Sequence, residues 1–323
     1  MAFKRIANLY VGNFDNGNDK SKGYEISGLD FSFDIERSTE WFANKARFTV
    51  YNASKNTINQ ILTGGSSIIF SGGYENEKVG NIFIGQIGFV DSEKKGDDEI
   101  TTICCASGRG GTYQLARVGV SISFPAGSKM VTVLDWISQF CNMAFKGREN
   151  ISEIVFTNKV IHAGDIVAFF RKINDCLASC GAGCYVDNNE IIVYKLFGSV
   201  SRFNYASLTF GSGLISARPA RDESLNEINF RQDLAYWMGY KDMTEAQRKE
   251  VEEKIAADKL KKEELNKRDI VKFKSLLRAD IMPNTEIYIN NDDDIDNDYL
   301  VTKCHFVGNN FGGDFSVSGE AVK

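Results

Sequence analysis

Three groups of residues have types and spacings that chemistry could use. Cys176, Cys180 and Cys184 follow a C-x3-C-x3-C pattern. The first two share a helix face, while the third lies beyond the Gly181-Ala-Gly183 break. A structural zinc site usually shows tighter C-x2-C pairs and a fourth ligand, so these read as core thiols. Asp292, Asp294 and Asp296 occupy positions one, three and five of a calcium-loop pattern. Its sixth position is Asn297 where Gly is needed, and its twelfth is Lys303 where a bidentate Glu is needed. A solvated hairpin tip is the better reading. Cys104 and Cys105 are adjacent, point to opposite faces of a strand and do not chelate together.

The sequence has only 2 His, His162 and His305. Neither lies in a recognisable nucleophile context, and two imidazoles exclude a poly-His metal site. Gly108-Arg-Gly-Gly111 and the Gly-rich run from Gly308 to Gly313 lack the Lys-Ser/Thr and the following helix of a phosphate loop, so they read as turns. No catalytic, metal or cofactor constellation emerges, and the expectation is a non-enzyme without a cofactor.

The elements that would position any site are mostly strands. Phe31, Phe33 and Ile35 alternate with Ser32, Asp34 and Glu36, giving one buried and one wet face. The segment 47–51 repeats the alternation. Ser54 caps a short helix from Lys55 to Leu62, stopped at Gly64-Gly65. A strand over 67–71 follows, then strands over 82–90 and 99–106, joined as a long hairpin through polar 91–98. Helical spacing appears over 128–144 and 165–180, followed by a hairpin across 185–194 with its turn at Asp187-Asn-Asn189. The segment from Lys241 to Arg268 is dominated by charge, with a thin apolar stripe of Val251, Ile255 and Leu260, and reads as a solvated helix. Strand patterns return over 270–277, 286–290, 299–307 and 314–322.

These last strands can be laid over the early ones. The strand at 47–51 corresponds to 272–276, Ile68-Ile-Phe70 to Ile287-Tyr-Ile289, Ile82-Phe83 to Tyr299-Leu300, and Phe89-Val90 to Phe306-Val307. The expected architecture is α+β and mostly β: two antiparallel β-barrel or sandwich domains flanking an α+β middle domain. The boundaries are 1–112, 113–200 and 201–323, with the helical insertion at about 236–269.

Length and charge agree with this. The 323 residues hold several domains, and 38 Lys+Arg against 43 Asp+Glu give a net charge of -5, which argues against a nucleic-acid binder that grips phosphates. Met1 to Gly12 lacks a signal-peptide core, and no apolar run has the ~20 residues that span a bilayer, so no membrane insertion is expected. The 7 Cys read as reduced thiols of a protein assembled in a cytoplasm.

One resemblance covers most of the chain. Gly28-Leu-Asp-Phe-Ser-Phe-Asp-Ile-Glu36, Lys45-Ala-Arg-Phe-Thr-Val-Tyr-Asn52, Ser71-Gly-Gly-Tyr74 and Ile82-Phe-Ile-Gly-Gln-Ile87 resemble the opening of phage tail baseplate hub proteins. Gly211-Ser-Gly-Leu-Ile-Ser216, Val271-Lys-Phe-Lys-Ser-Leu-Leu277, Met282-Pro-Asn284 and the stretch from Cys304 to Gly313 resemble their C-terminal part. The charged segment from about Tyr236 to Asp269 departs from that pattern.

The resemblance implies a homotrimer of subunits with two tube-like β domains each, a symmetry adaptor between a sixfold tail tube and a threefold central spike. It implies a place in the virion baseplate, of contractile type. The partners would be the spike, the tail tube protein or tube initiator, the tape measure protein and other baseplate proteins, with DNA passing through unbound. Asp30, Asp34 and Glu36, on one strand face, are then the candidate channel-facing residues. Two other readings stay open: a tail-associated cell-wall hydrolase, which turnover on peptidoglycan would reveal, and a carbohydrate- or receptor-binding β module, which would bind glycans.

Overall fold

The computed structural model describes residues 4–14, 23–26, 28–39, 44–64, 67–75, 77–107, 118–188, 190–195, 205–220, 270–292 and 294–323. The expected charged helix over 241–268 and the Gly108–Gly111 turn lie outside these residues.

Alternation makes the strands. In β3 (Phe31–Ser38) the odd positions are buried and the even ones are not, and β4 (Lys45–Tyr51) buries Ala46, Phe48 and Val50. α1 (Lys55–Gly64) begins where Ser54 Oγ accepts a hydrogen bond from the Thr57 amide at 3.1 Å, the cap expected at that residue. β5 (Ser67–Tyr74) is buried throughout. β6 (Gly80–Lys95) and β7 (Asp98–Ala106) form one long hairpin, and the polar 91–95 stretch is itself strand. β1 (Arg5–Gly12), which the sequence reading left unassigned, lies along β5 and carries β2 (Gly23–Glu25) on its other edge.

The C-terminal part repeats this plan. β14 (Leu214–Ala220) and β15 (Ile270–Leu276) pair as β3 and β4 do, and β15 pairs with β18 (Phe315–Val322) as β4 pairs with β7. β17 (Asp296–Asn309) lies between β18 and β16 (Glu286–Asn290), as β6 lies between β7 and β5. The copies share a detail that alternation alone does not require. The β6–β7 register shifts between Ile87 and Phe89, and the β17–β18 register shifts at the corresponding place, between Val301 and Lys303. They differ at one edge: β13 (Tyr205–Leu208) runs parallel to β16, whereas β1 runs antiparallel to β5.

β17 pairs with β3, which joins the two copies into one 13-stranded sheet. One core serves both, with Phe31, Phe33 and Phe48 around Phe70 at ring-centroid distances of 6.2, 4.5 and 5.5 Å.

Residues 118–195 build a second core. β8 (Gly119–Phe124) pairs with β10 (Val160–Asp165), and β9 (Ala144–Lys146) runs parallel to β12 (Glu190–Lys195), which is hairpinned to β11 (Ala182–Asp187). α2 (Met130–Cys141) and α3 (Ile166–Ser179) contribute Val133, Leu134, Ile137, Phe169, Ile173 and Leu177 to this core. Asp165 caps α3 by accepting from the Ala168 amide at 2.6 Å. The chain is thus α+β and mostly β.

Candidate functional site

The feature with the most chemistry is the wet face of the large sheet where the two copies meet. A strand shows every second side chain to one face, and the registers set those side chains in rows. One row runs Ser216, Lys274, Ser318, His305, Glu36, Lys45 across six strands. The next runs Arg218, Lys272, Glu320, Lys303, Ser38. On the other side of the first row, Asp34 stands opposite Arg47 on β4 and Val307 on β17. A groove of ≈ 850 Å³ lies over the first two rows.

Asp34 and Glu36 therefore share the exposed face. Asp30 is also exposed and precedes β3, with its carbonyl accepting from the Tyr51 amide at 2.9 Å. Their surroundings are not carboxylate alone. His305 Nε2 lies 2.8 Å from Asp34 Oδ1, and Lys272 Nζ lies 3.3 Å from Glu320 Oε1. Lys45, Arg47, Arg218, Lys274 and Lys303 add further positive charge, so the strip of this face at the β17–β3 junction is net cationic although the chain is net acidic. The alternation of Lys272 and Lys274 with core residues was visible in the sequence. What brings them beside Glu36 and Lys303 is the β17–β3 junction.

Beneath this face the middle core is pinned to the sheet. Arg37 points inward from β3 and is 3% exposed. Its guanidinium pairs with the Asp187 carboxylate at the tip of the β11–β12 hairpin and donates to the Ile82 carbonyl. The other Asp187 oxygen accepts from Asn44 Nδ2 at 2.6 Å. Asn44 Oδ1 accepts from the Ser38 amide at 2.9 Å, and Asn188 Oδ1 accepts from the Ile84 amide at 3.0 Å. Cys304 lies beside this pair, and burial pushes its thiol up to about 12. Nothing in the local sequence marks Arg37 or Asp187, because their partnership spans 150 positions.

The other candidate groups are structural in their contacts. Cys184 is buried, Cys176 half-buried and Cys180 exposed, so the three thiols do not share one environment. Burial raises Cys105, with the neighbouring Cys104 as a lesser cause. The 291–295 turn is organised by Asn291, whose Oδ1 accepts from the amides of Asp294 and Ile295 at 3.1 and 3.0 Å. His162 stacks on Phe169 and its Nε2 meets the Asp165 carbonyl at 2.9 Å. Among the described residues neither imidazole is hydrogen-bonded to a Ser, Thr or Cys side chain. No helix among these residues is long and apolar enough to cross a membrane.

Solved structures share this fold. A 43 kDa tail protein of prophage MuSo2 from Shewanella oneidensis aligns with a TM-score of 0.62 at 10% identity, over 100% of this chain and 98% of its own. A tail protein from Neisseria meningitidis gives 0.59 at 10% identity, over 99% and 97%. An Escherichia coli component of the type VI secretion system, described as structurally similar to the T4 bacteriophage tail proteins gp27 and gp5, gives 0.53 at 10% identity, over 92% and 74%. No protein-family model matches the chain, and no curated protein sequence matches it. At these identities the likeness is one of fold, and the fold is the one the sequence resemblance implied.

Proposed function

We propose that this chain is the subunit of a phage tail baseplate hub, a structural protein whose work is geometric. Three copies would form a ring that presents six similar β units to the sixfold tail tube and a threefold surface to the central spike. The observation that carries this reading is the duplication of one β unit, down to the shared register shift. A cyclic trimer shows sixfold pseudo-symmetry only when each subunit holds two equivalent units. The tail tube protein or its initiator, the spike, the tape measure protein and other baseplate proteins are the partners this role requires. The place of action is the virion tail, after assembly in the host cytoplasm.

In this reading the charged sheet face lines the passage for DNA. Lys45, Arg47, Arg218, Lys272, Lys274 and Lys303 alone would hold a polyanion by its phosphates. Asp34, Glu36 and Glu320 sit among them and offset that attraction, with Asp30 just before β3, so DNA slides through without being gripped.

Mass in solution and negative-stain images, for the chain alone and with the cognate spike, test the proposal. A ring-shaped trimer is expected. A chain that stays monomeric in both conditions overturns it, and turnover of peptidoglycan by the pure protein would favour the hydrolase reading.

A further inference from the structure

Two cores that share no residue meet at a narrow contact. The sheet core holds Phe70, Phe83 and Phe306, and the core of residues 118–195 holds Leu134, Phe169 and Val193. β6 pairs with β5 along its first half but with β7 only from Gln86 onward. At Ile82 and Ile84 no strand among the described residues takes the edge opposite β5. Side chains close it instead. Arg37 donates to the Ile82 carbonyl, and Asn188 Oδ1 accepts from the Ile84 amide at 3.0 Å. Asp187 holds the Arg37 guanidinium and Asn44 Nδ2, and the Tyr185 hydroxyl reaches the Pro283 carbonyl at 3.5 Å. On the side of residues 118–195, all of these contacts come from the β11–β12 hairpin.

The chemistry of this contact suits parting and rejoining. Its centre is an ion pair, and Arg37 Nε is buried without a hydrogen-bond partner. When such a pair separates into water, both charges regain the hydration that burial removed, so parting costs far less than deleting one partner. An apolar seam gains nothing of the kind on opening. Between two cores of one chain, a narrow polar contact leaves relative motion as the default. The Tyr185 ring, 2% exposed, weights the balance toward the closed position.

We propose that the β11–β12 hairpin tip is a latch: residues 118–195 undock from the sheet as a unit, with Asp187 and Asn188 leaving Arg37 and Ile84 while both cores stay folded. The latch is closed in this structure and opens without unfolding the sheet. Its use in the hub rests on that reading. There it would let residues 118–195 follow a partner that moves, while the paired sheet of each subunit stays intact.

Native-state hydrogen exchange of the full-length protein, resolved to single amides, tests this. The Ile84 amide is the reporter, because its acceptor belongs to the hairpin tip. Phe48, between β3 and β7, reports opening of the sheet, and Leu134 reports opening of the other core. Ile84 should exchange at least about a hundredfold faster than either. Its rate should also rise with sub-denaturing urea, because undocking exposes the surface around Tyr185. Exchange of Ile84 at the rate of Phe48 overturns the latch, and so does fast exchange with no urea dependence, which is a local fluctuation of one side chain. In a second measurement, Arg37→Met with Asp187→Leu makes the contact apolar and should slow Ile84 at least about tenfold. A double variant that exchanges Ile84 as fast as wild type overturns the proposal. The hub is judged separately by mass: a trimer that does not undock loses only the latch, and a monomer that undocks loses only the hub.

Discussion

Replacing Asp187 by Ala removes the counter-charge of Arg37 and leaves a guanidinium 3% exposed beneath the sheet. Breaking a buried ion pair from one side costs about 3–5 kcal/mol, because the surviving charge stays desolvated. Asn44 Nδ2 also loses its acceptor, so the upper part of that range is expected. With an unfolding entropy of roughly 2.1 cal/mol/K per residue, a chain of this length shifts by about 1.5 °C per kcal/mol, so Tm should fall by about 6–7 °C. Calorimetry measures this, and hydrogen exchange shows where the loss falls. Protection should drop first along the contact of the β11–β12 hairpin with the sheet, and later within the core built by α2 and α3. The double variant Arg37→Met with Asp187→Leu removes both charges and should recover most of the lost stability. A Tm drop below 1 °C for Asp187→Ala would refute the reasoning. So would a double variant as unstable as the single one.

Other perturbations have equally definite outcomes. Phe70→Ala removes the ring against which Phe31, Phe33 and Phe48 pack, and should cost about 3–5 kcal/mol in denaturant unfolding. A cost under 1 kcal/mol would show that this core is not closely packed. Burial pushes the thiols of Cys141 and Cys304 up to about 11 and about 12, so at pH 8 both are neutral. A thiol reagent on the native protein should therefore label Cys180 first, and mass spectrometry after brief labelling checks the order. Asp34→Lys with Glu36→Lys removes the carboxylates from the centre of the proposed passage. Assembled particles should then deliver their genome more slowly, most clearly at low salt, and unchanged delivery would show that this face does not line the channel.

Much of the element list was legible locally. The alternation at Phe31, Phe33 and Ile35, the Ser54 cap, the hairpin across 185–194 and the helices containing Val133 and Phe169 depend on near neighbours in the chain. The repeat was legible as an order of strands. The short β8–β10 pair, β13 beside β16 and the edge role of β1 were not, because a short strand is defined by its distant partner more than by its own pattern. The candidate face was half legible: the parity of Asp34 and Glu36 could be read, but the cations around them come from β15 and β17.

The sequence by itself determined which side of each strand is wet, where the first helix begins, and that one β unit occurs twice, since all three are written in residue types at spacings of two to four and in their order. Only the tertiary structure decided which strands become neighbours. It joined β17 to β3, set Arg37 against Asp187, and surrounded the carboxylates of an acidic strand with cations from its neighbours. Alternation reports burial and carries no address for a partner. That address is settled when long-range pairing closes the sheet over a shared core.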